Sequence, residues 1–206
     1  MAIQLAETME AGNRILPPGL EGYEIDYAGA YTTIQHSLAL KLSLDVARIF
    51  DVTEDRELDK QDKASIQVLI HHLKKSAVEA ELVAKAQTWP PLPRDITLPP
   101  AQVCKGAVHL AVGKSSKLMA GDVVEALSRV RQLRTRRLAH MLFDKEPDPL
   151  PRYGDLFLLL NLARDIATPA VLAVEGRVTV FDGNEQFARR DAEQFWEKVL
   201  QGLRGY

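Results

Sequence analysis

Residues 129–140 read R-V-R-Q-L-R-T-R-R-L-A-H, five arginines and a closing histidine set among apolar residues that keep a helical period. Extended in both directions, the apolar stripe is Val123, Leu127, Val130, then Arg134, then Leu138, Met141 and Leu142, and its spacing predicts one helix over about 119–143. An arginine therefore stands where the stripe calls for an aliphatic side chain. Burying a guanidinium without a partner is costly, so Arg134 snorkels to water, pairs with a carboxylate, or faces a cleft that receives an anion. His140 adds the one side chain whose ordinary pKa, about 6.5, suits proton exchange near neutral pH.

The same periodicity recurs on both sides of this stretch. Upstream, Ala30, Ile34, Leu38, Leu42, Val46 and Ile49 predict a helix over 26–51, and Ile66, Leu69, Leu73, Ala77, Ala80 and Ala84 predict another over 64–88, with the charged run 51–63 between them. Residues 89–100, W-P-P-L-P-R-D-I-T-L-P-P, carry five prolines and are expected to be an exposed crossover connection, with a proline-rich ligand for another domain the rarer alternative. A further helix is expected over 101–117, built on Val103, Ala107, Leu110 and Ala111. Downstream, the prolines of D-K-E-P-D-P-L-P-R, 144–152, break the motif helix, and a leucine-rich helix follows over 153–173, interrupted or bent near Pro169. R-V-T-V-F, 177–181, alternates like a short strand, and Asn184 is placed to cap a last helix with Phe187, Ala188, Ala192, Phe195, Val199 and Leu203 on its buried side. At the N-terminus a short helix over 1–10 gives way to loop over 13–24, where Pro17, Pro18, Gly19 and Gly22 cluster. The expected class is all-α: an antiparallel helical bundle of four core helices, residues 26–206, with an N-terminal arm over 1–25 and a C-terminal helix from about 184.

Composition sets the bounds. A chain of 206 residues buries a sizeable core, and its formal net charge of -2 gives no global attraction to a polyanion, so any such affinity would have to come from a local patch. The single cysteine, Cys104, has no intrachain partner, and residues 1–12 lack the basic start and apolar run of a secretory signal. No run approaches about 18 uninterrupted apolar residues, the nearest being 156–160. A soluble, cytoplasmic protein with no membrane partner is the expectation.

A fixed cation beside a proton-transfer group is the minimum equipment for attack by a ribose 2′-hydroxyl on its own phosphodiester. Six helical residues turn through roughly 600° and rise about 9 Å, which leaves Arg134 and His140 roughly 120° apart on an ideal helix. The arginine reaches round, the helix is distorted, or a second subunit supplies the missing wall. Thr135 offers a hydroxyl that orients a phosphate or simply faces solvent. Arg129, Arg131, Arg136 and Arg137 spread around the helix, as a solvated basic face or as contacts to phosphate.

The segment R-T-R-R-L-A-H, 134–140, followed by the proline break and R-Y-G-D-L-F-L-L-L-N-L-A, 152–163, resembles the HEPN superfamily, most closely its abortive-infection (AbiU-type) branch. The resemblance spans about residues 26–175. It implies a dimerising helical bundle and a metal-independent endoribonuclease of the kind used in toxin–antitoxin and antiphage systems, with no cofactor. Carried onto this chain, the motif's arginine is Arg134, its polar neighbour Thr135 and its histidine His140. Arg134 would bind phosphate, and His140 would serve 2′-hydroxyl attack or leaving-group protonation. Arg131, Arg136 and Arg137 become the RNA contacts. The expected partners are an RNA substrate, a second copy that shares the site across the dimer interface, and an antitoxin protein. Position 135 holds threonine where the superfamily more typically has Asn, Asp or His, so a non-catalytic HEPN-like module that binds RNA or a protein stands as the alternative.

Other chemistry is sparse. His71 and His72 are sequence neighbours with no Cys cluster or His-x-x-x-His spacing, so no metal site is expected, and there is no glycine-rich phosphate loop or G-x-S-x-G elbow. Asp155 and Asp165 are candidate partners for arginines of the motif helix.

Overall fold

In the computed structural model the described residues are 1–22, 27–52, 56–93, 96–133, 151–178 and 181–205. Among them the chain is all-α, as expected: α1 Ala2–Gly19, α2 Ala28–Ile49, α3 Ile66–Leu73, α4 Ser76–Lys85, α5 Pro100–Lys114, α6 Gly121–Gln132, α7 Tyr153–Glu175 and α8 Phe181–Arg204. Short 3₁₀ turns occur at Leu58–Lys60, Ala86–Thr88 and Ser115–Met119. The strand expected over 177–181 is not formed by its described residues, since Arg177 and Val178 have no regular structure and Phe181 opens α8. Lone alternation is not enough: a strand needs a neighbour to take up its backbone N–H and C=O groups, and no described residue is in a sheet. Asn184 accordingly lies inside α8 rather than capping it.

The chain divides into two compact units, Met1–Asp45 with Val180–Tyr206, and Val46–Thr179. In the first, Ala11, Leu16 and Leu20 from α1 and the residue after it meet Ala192 and Trp196 of α8. Trp196 is 1% exposed, and its Nε1–H donates to the Thr8 carbonyl at 2.8 Å. An indole buries about 200 Å², worth on the order of 5 kcal/mol, which makes Trp196 the largest single contributor to this core. Arg189 Nε donates to the buried Glu7 carboxylate at 2.9 Å, Arg14 pairs with Glu193, and Arg204 Nε donates to the Gly19 carbonyl at 2.9 Å. These pairings ascend together along both helices, so α1 and α8 run parallel. The loop expected over 13–24 is replaced through Gly19 by helix, with Pro17 and Pro18 inside its last turn. Burial of Leu16 and Leu20, together with the Arg204 cap on Gly19, offsets the hydrogen bonds that two prolines forfeit.

The first half of α2 departs from its expected stripe. Ile34 is exposed, while Gln35 turns inward and donates to the Met9 carbonyl at 3.4 Å and to Tyr31 Oη at 3.1 Å. Tyr31 Oη in turn donates to Asn13 Oδ1 at 2.7 Å. Leu42 and Val46, both 0% exposed, keep the stripe in its second half.

The second unit is organised around α7, which buries Leu156, Leu159, Ala163, Ile166 and Ala173. It packs antiparallel to α5, because Cys104 Sγ meets the Ala173 carbonyl at 3.4 Å while Lys114, ten residues on, meets Asp165 at 3.5 Å. Small residues at Ala107, Ala111 and Ala173 bring the two backbones together. Pro169 is buried within a continuous α7, not at a break. By length and composition this helix could cross a membrane, with a mean hydropathy of 1.6 over its most apolar window, yet its apolar face is the core of this unit. Gly176 ends it at φ 67°, a left-handed cap whose N–H donates to the Leu172 carbonyl at 2.9 Å. The Trp89 ring occupies the space a Cβ would need there.

The helix expected over 64–88 is two helices. Ser65 caps α3 by accepting the Val68 N–H at 3.4 Å, and the chain turns at Lys74 and Lys75 before α4. Ile66 and Leu73 are buried as expected, but Ala77, Ala80 and Ala84 of α4 are exposed.

Candidate functional site

The expected motif helix is α6 as far as Gln132, and Leu133 continues it as helical backbone. Val123, Leu127 and Val130 are 3%, 7% and 1% exposed, so the apolar stripe that leads into the motif is buried in the register read from sequence. Arg134, Thr135, Arg136, Arg137 and His140 lie outside the described residues. Arg131 is the one proposed RNA contact among the described residues; it sits half-buried in the last turn of α6, with no ion pair to another described residue.

Arg129 does not belong to a solvated basic face. Its Nε–H donates to Asp155 Oδ2 at 2.8 Å and an Nη2–H donates to Asp155 Oδ1 at 2.8 Å, a bidentate fork with both side chains largely out of water. Glu125, one turn back on α6, lies 3.5 Å from its Nη1. Asp155 also accepts the Arg152 N–H at 2.8 Å, which satisfies one of the open donors at the start of α7. The Arg129 guanidinium holds the Asp155 carboxyl below the usual carboxylate range, against the opposing effect of burial, with the Arg152 N–H adding to the depression. The pair thus fixes the first turn of α7 to the last turn of α6. Three residues separate Arg129 from Leu133 on the α6 side, and two separate Asp155 from Arg152 on the α7 side. Asp165, the other carboxylate considered, meets Lys114 at 3.5 Å and Lys117 at 3.8 Å instead of an arginine of α6.

His71 and His72 have a role the sequence did not disclose. His71 Nε2 lies 3.1 Å and His72 Nδ1 4.0 Å from Asp59 Oδ1, and Lys75 pairs with the same oxygen. Lys75 first, then His71, holds the Asp59 carboxyl below its ordinary range. The cluster ties the turn Leu58–Lys60 to the end of α3, and no group of three or more metal-suited side chains is present among the described residues. A signal existed in the acidic and basic runs at 54–63 and 71–75, but nothing in it specified which partners meet. An apolar recess of about 400 Å³ is lined by Ile49, Ala64, Ser65, Ile66, Val68 and Leu69. Its one hydroxyl, that of Ser65, is committed to capping α3, so the recess offers shape without a reacting group. Cys104 is fully buried, and burial pushes its thiol up from the ordinary value, which makes it a poor nucleophile.

Family models, curated proteins and solved structures were all compared with this chain, and none matches it.

Proposed function

We propose that the protein is a metal-independent endoribonuclease of HEPN type, a toxin or antiphage effector that works in the cytoplasm as a homodimer with the site shared between copies. The observation that carries the reading is the sequence R-T-R-R-L-A-H at 134–140, with an arginine on the apolar step of its helix and a histidine six residues on. Two features of the described residues support it. The apolar stripe that leads into the motif is buried at Val123, Leu127 and Val130, the register from which the sequence reading expects Arg134 to follow, and the described architecture is all-α.

In this mechanism Arg134 neutralises the scissile phosphate, which favours the additional negative charge of the pentacoordinate transition state. His140 accepts the 2′-hydroxyl proton as O2′ attacks phosphorus. The bond to the 5′-oxygen breaks, that oxygen takes a proton from water, and the products are a 2′,3′-cyclic phosphate and a 5′-hydroxyl. Thr135 donates a hydrogen bond to a phosphate oxygen, and Arg131, Arg136 and Arg137 hold neighbouring phosphates. Substrates are single-stranded or looped RNA, whose unstacked nucleotides can adopt the in-line geometry. An antitoxin protein would act by covering this site.

Purified protein incubated with single-stranded RNA should yield cyclic-phosphate ends equally with and without EDTA. Arg134→Ala and His140→Ala should each reduce the rate by about 10²-fold or more. Equal cleavage by wild type and both variants would remove the proposal. Thr135 favours one second reading, a non-catalytic module that binds RNA or a protein through the same residues, because a threonine hydroxyl is short and cannot exchange a proton near neutral pH. RNA retention without any cleavage selects it.

A further inference from the structure

The proline-rich connection between α4 and α5 carries an inference independent of any RNA activity. Three of its first four residues after Trp89 are prolines, and each fixes its own φ near -65°. Every residue that precedes a proline, here Trp89, Pro90 and Leu92, is also driven to extended ψ. Trp89 sits at φ -65° and ψ 152°, within the polyproline II range. The run is bounded on both sides by hydrogen bonds: Trp89 N–H donates to the Ala86 carbonyl at 3.2 Å to close the preceding 3₁₀ turn, and Ile96 N–H donates to the Pro93 carbonyl at 2.9 Å. The Trp89 ring, packed on Gly176, anchors one end to the body of the unit.

What this anchored run presents is the surface that polyproline-binding domains read. In an ideal polyproline II run, with three residues per turn and about 3.1 Å rise, Pro90 and Pro93 would share one ridge roughly 9 Å apart. Both are exposed, as is Pro91, while Leu92 is half-buried. Among the described residues no hydrogen bond reaches the carbonyls of Pro90, Pro91 or Leu92. Grooves lined with aromatic side chains recognise this combination, with proline rings packing between the aromatics and indole or phenol donors reaching the open carbonyls. A flexible peptide loses conformational entropy on adopting that shape, and a run already fixed by its prolines and its tryptophan anchor loses much less.

We propose that residues 89–93 are a docking ligand for a partner domain with an aromatic-lined polyproline groove, of the kind found in SH3 and WW domains. The test titrates the full-length protein into an isotopically labelled SH3 domain and, separately, a labelled WW domain. The expected result is saturable shifts of groove amides in one of them, weakened at least tenfold by Pro90→Ala with Pro93→Ala and unchanged by Pro99→Ala. Both substituted rings in the double variant are exposed, so its circular dichroism and melting should match wild type. Absence of shifts in both domains at millimolar protein, or shifts that the double variant retains, overturns the proposal.

Discussion

One added methyl group at Gly12 sets two effects of opposite sign against each other. In a helix interior Gly→Ala normally stabilises by about 0.8–1 kcal/mol, because the unfolded chain loses freedom that the helix never had. Gly202 of α8, in the same unit, is the control: nothing lies within 4 Å of where its Cβ would stand, so Gly202→Ala should gain up to that amount, less for its place in the last turns. At Gly12 the same atom would stand 2.9 Å from Trp196 Cε2 and 3.1 Å from Cζ2, with the Gln35 amide closer still. The indole has little room to withdraw. Its Nε1–H is held by the Thr8 carbonyl, and the Tyr31 and Phe195 rings flank it with centroids at 5.8 and 5.0 Å. Overpacking a tight core costs about 1–3 kcal/mol, which exceeds the propensity gain and leaves a net loss of about 1 kcal/mol. The chain has two tryptophans, and Trp89 lies in the other unit, so a Trp89→Phe background makes fluorescence a reporter of Trp196 alone. With a urea m-value of about 1–2 kcal/mol/M, Gly12→Ala should lower the midpoint by roughly 0.5–1 M while Gly202→Ala raises it. Two variants that shift the midpoint upward together would refute the close approach of α1 to Trp196.

The depressed Asp155 carboxyl makes the second unit sensitive to acid. Its contribution is complete above the unfolded-chain value of about 3.9, declines as pH falls below that, and is gone once pH has passed through the lower folded value. Asp155→Asn should therefore lower stability at neutral pH and flatten acid unfolding below about pH 4, as followed by Trp89 fluorescence; an unchanged acid limb would show that the pair with Arg129 carries no linked protons. Gly176→Ala should destabilise the same unit by about 1–3 kcal/mol, since φ 67° suits glycine and the Trp89 ring fills the Cβ position. An unshifted Trp89 emission and midpoint would contradict that.

Where local pattern and tertiary burial agreed, the sequence was readable. The stripes of α6 and α7 fall on Val123, Leu127 and Val130 and on Leu156, Leu159 and Ile166, all buried, whereas α5 buries Ala107 and Ala111 but leaves Leu110 of its expected stripe 52% exposed. It misled where distant partners decide. Pro17 and Pro18 signal loop by every local rule, and α8, whose Arg204 is 185 residues from Gly19, supplies the burial and the cap that keep them helical. The break between α3 and α4 has neither proline nor glycine to announce it. In α8 the aromatic neighbours Phe195 and Trp196 leave the phase of the stripe ambiguous by one residue, about 100° of rotation. Phe187 and Phe195, both expected on the buried side, are 68% and 53% exposed, whereas Trp196 is 1% exposed.

The opening stretch is subject to the same limit, because a run of arginines states charge without stating its use. Arg129 would be indistinguishable from its neighbours by composition, yet both of its forked donors are spent on Asp155, and that carboxylate also caps α7. It is a tie between two helices, and its charge cannot be counted toward RNA. With a net charge of -2 and one of the five arginines so committed, attraction to a polyanion depends on the few that remain. Nonspecific affinity for duplex should then be low, and under the proposed ribonuclease reading selectivity is expected to come from how Arg134 and His140 engage one phosphodiester. That consequence suits a nuclease acting on exposed single strands better than a protein built to coat nucleic acid.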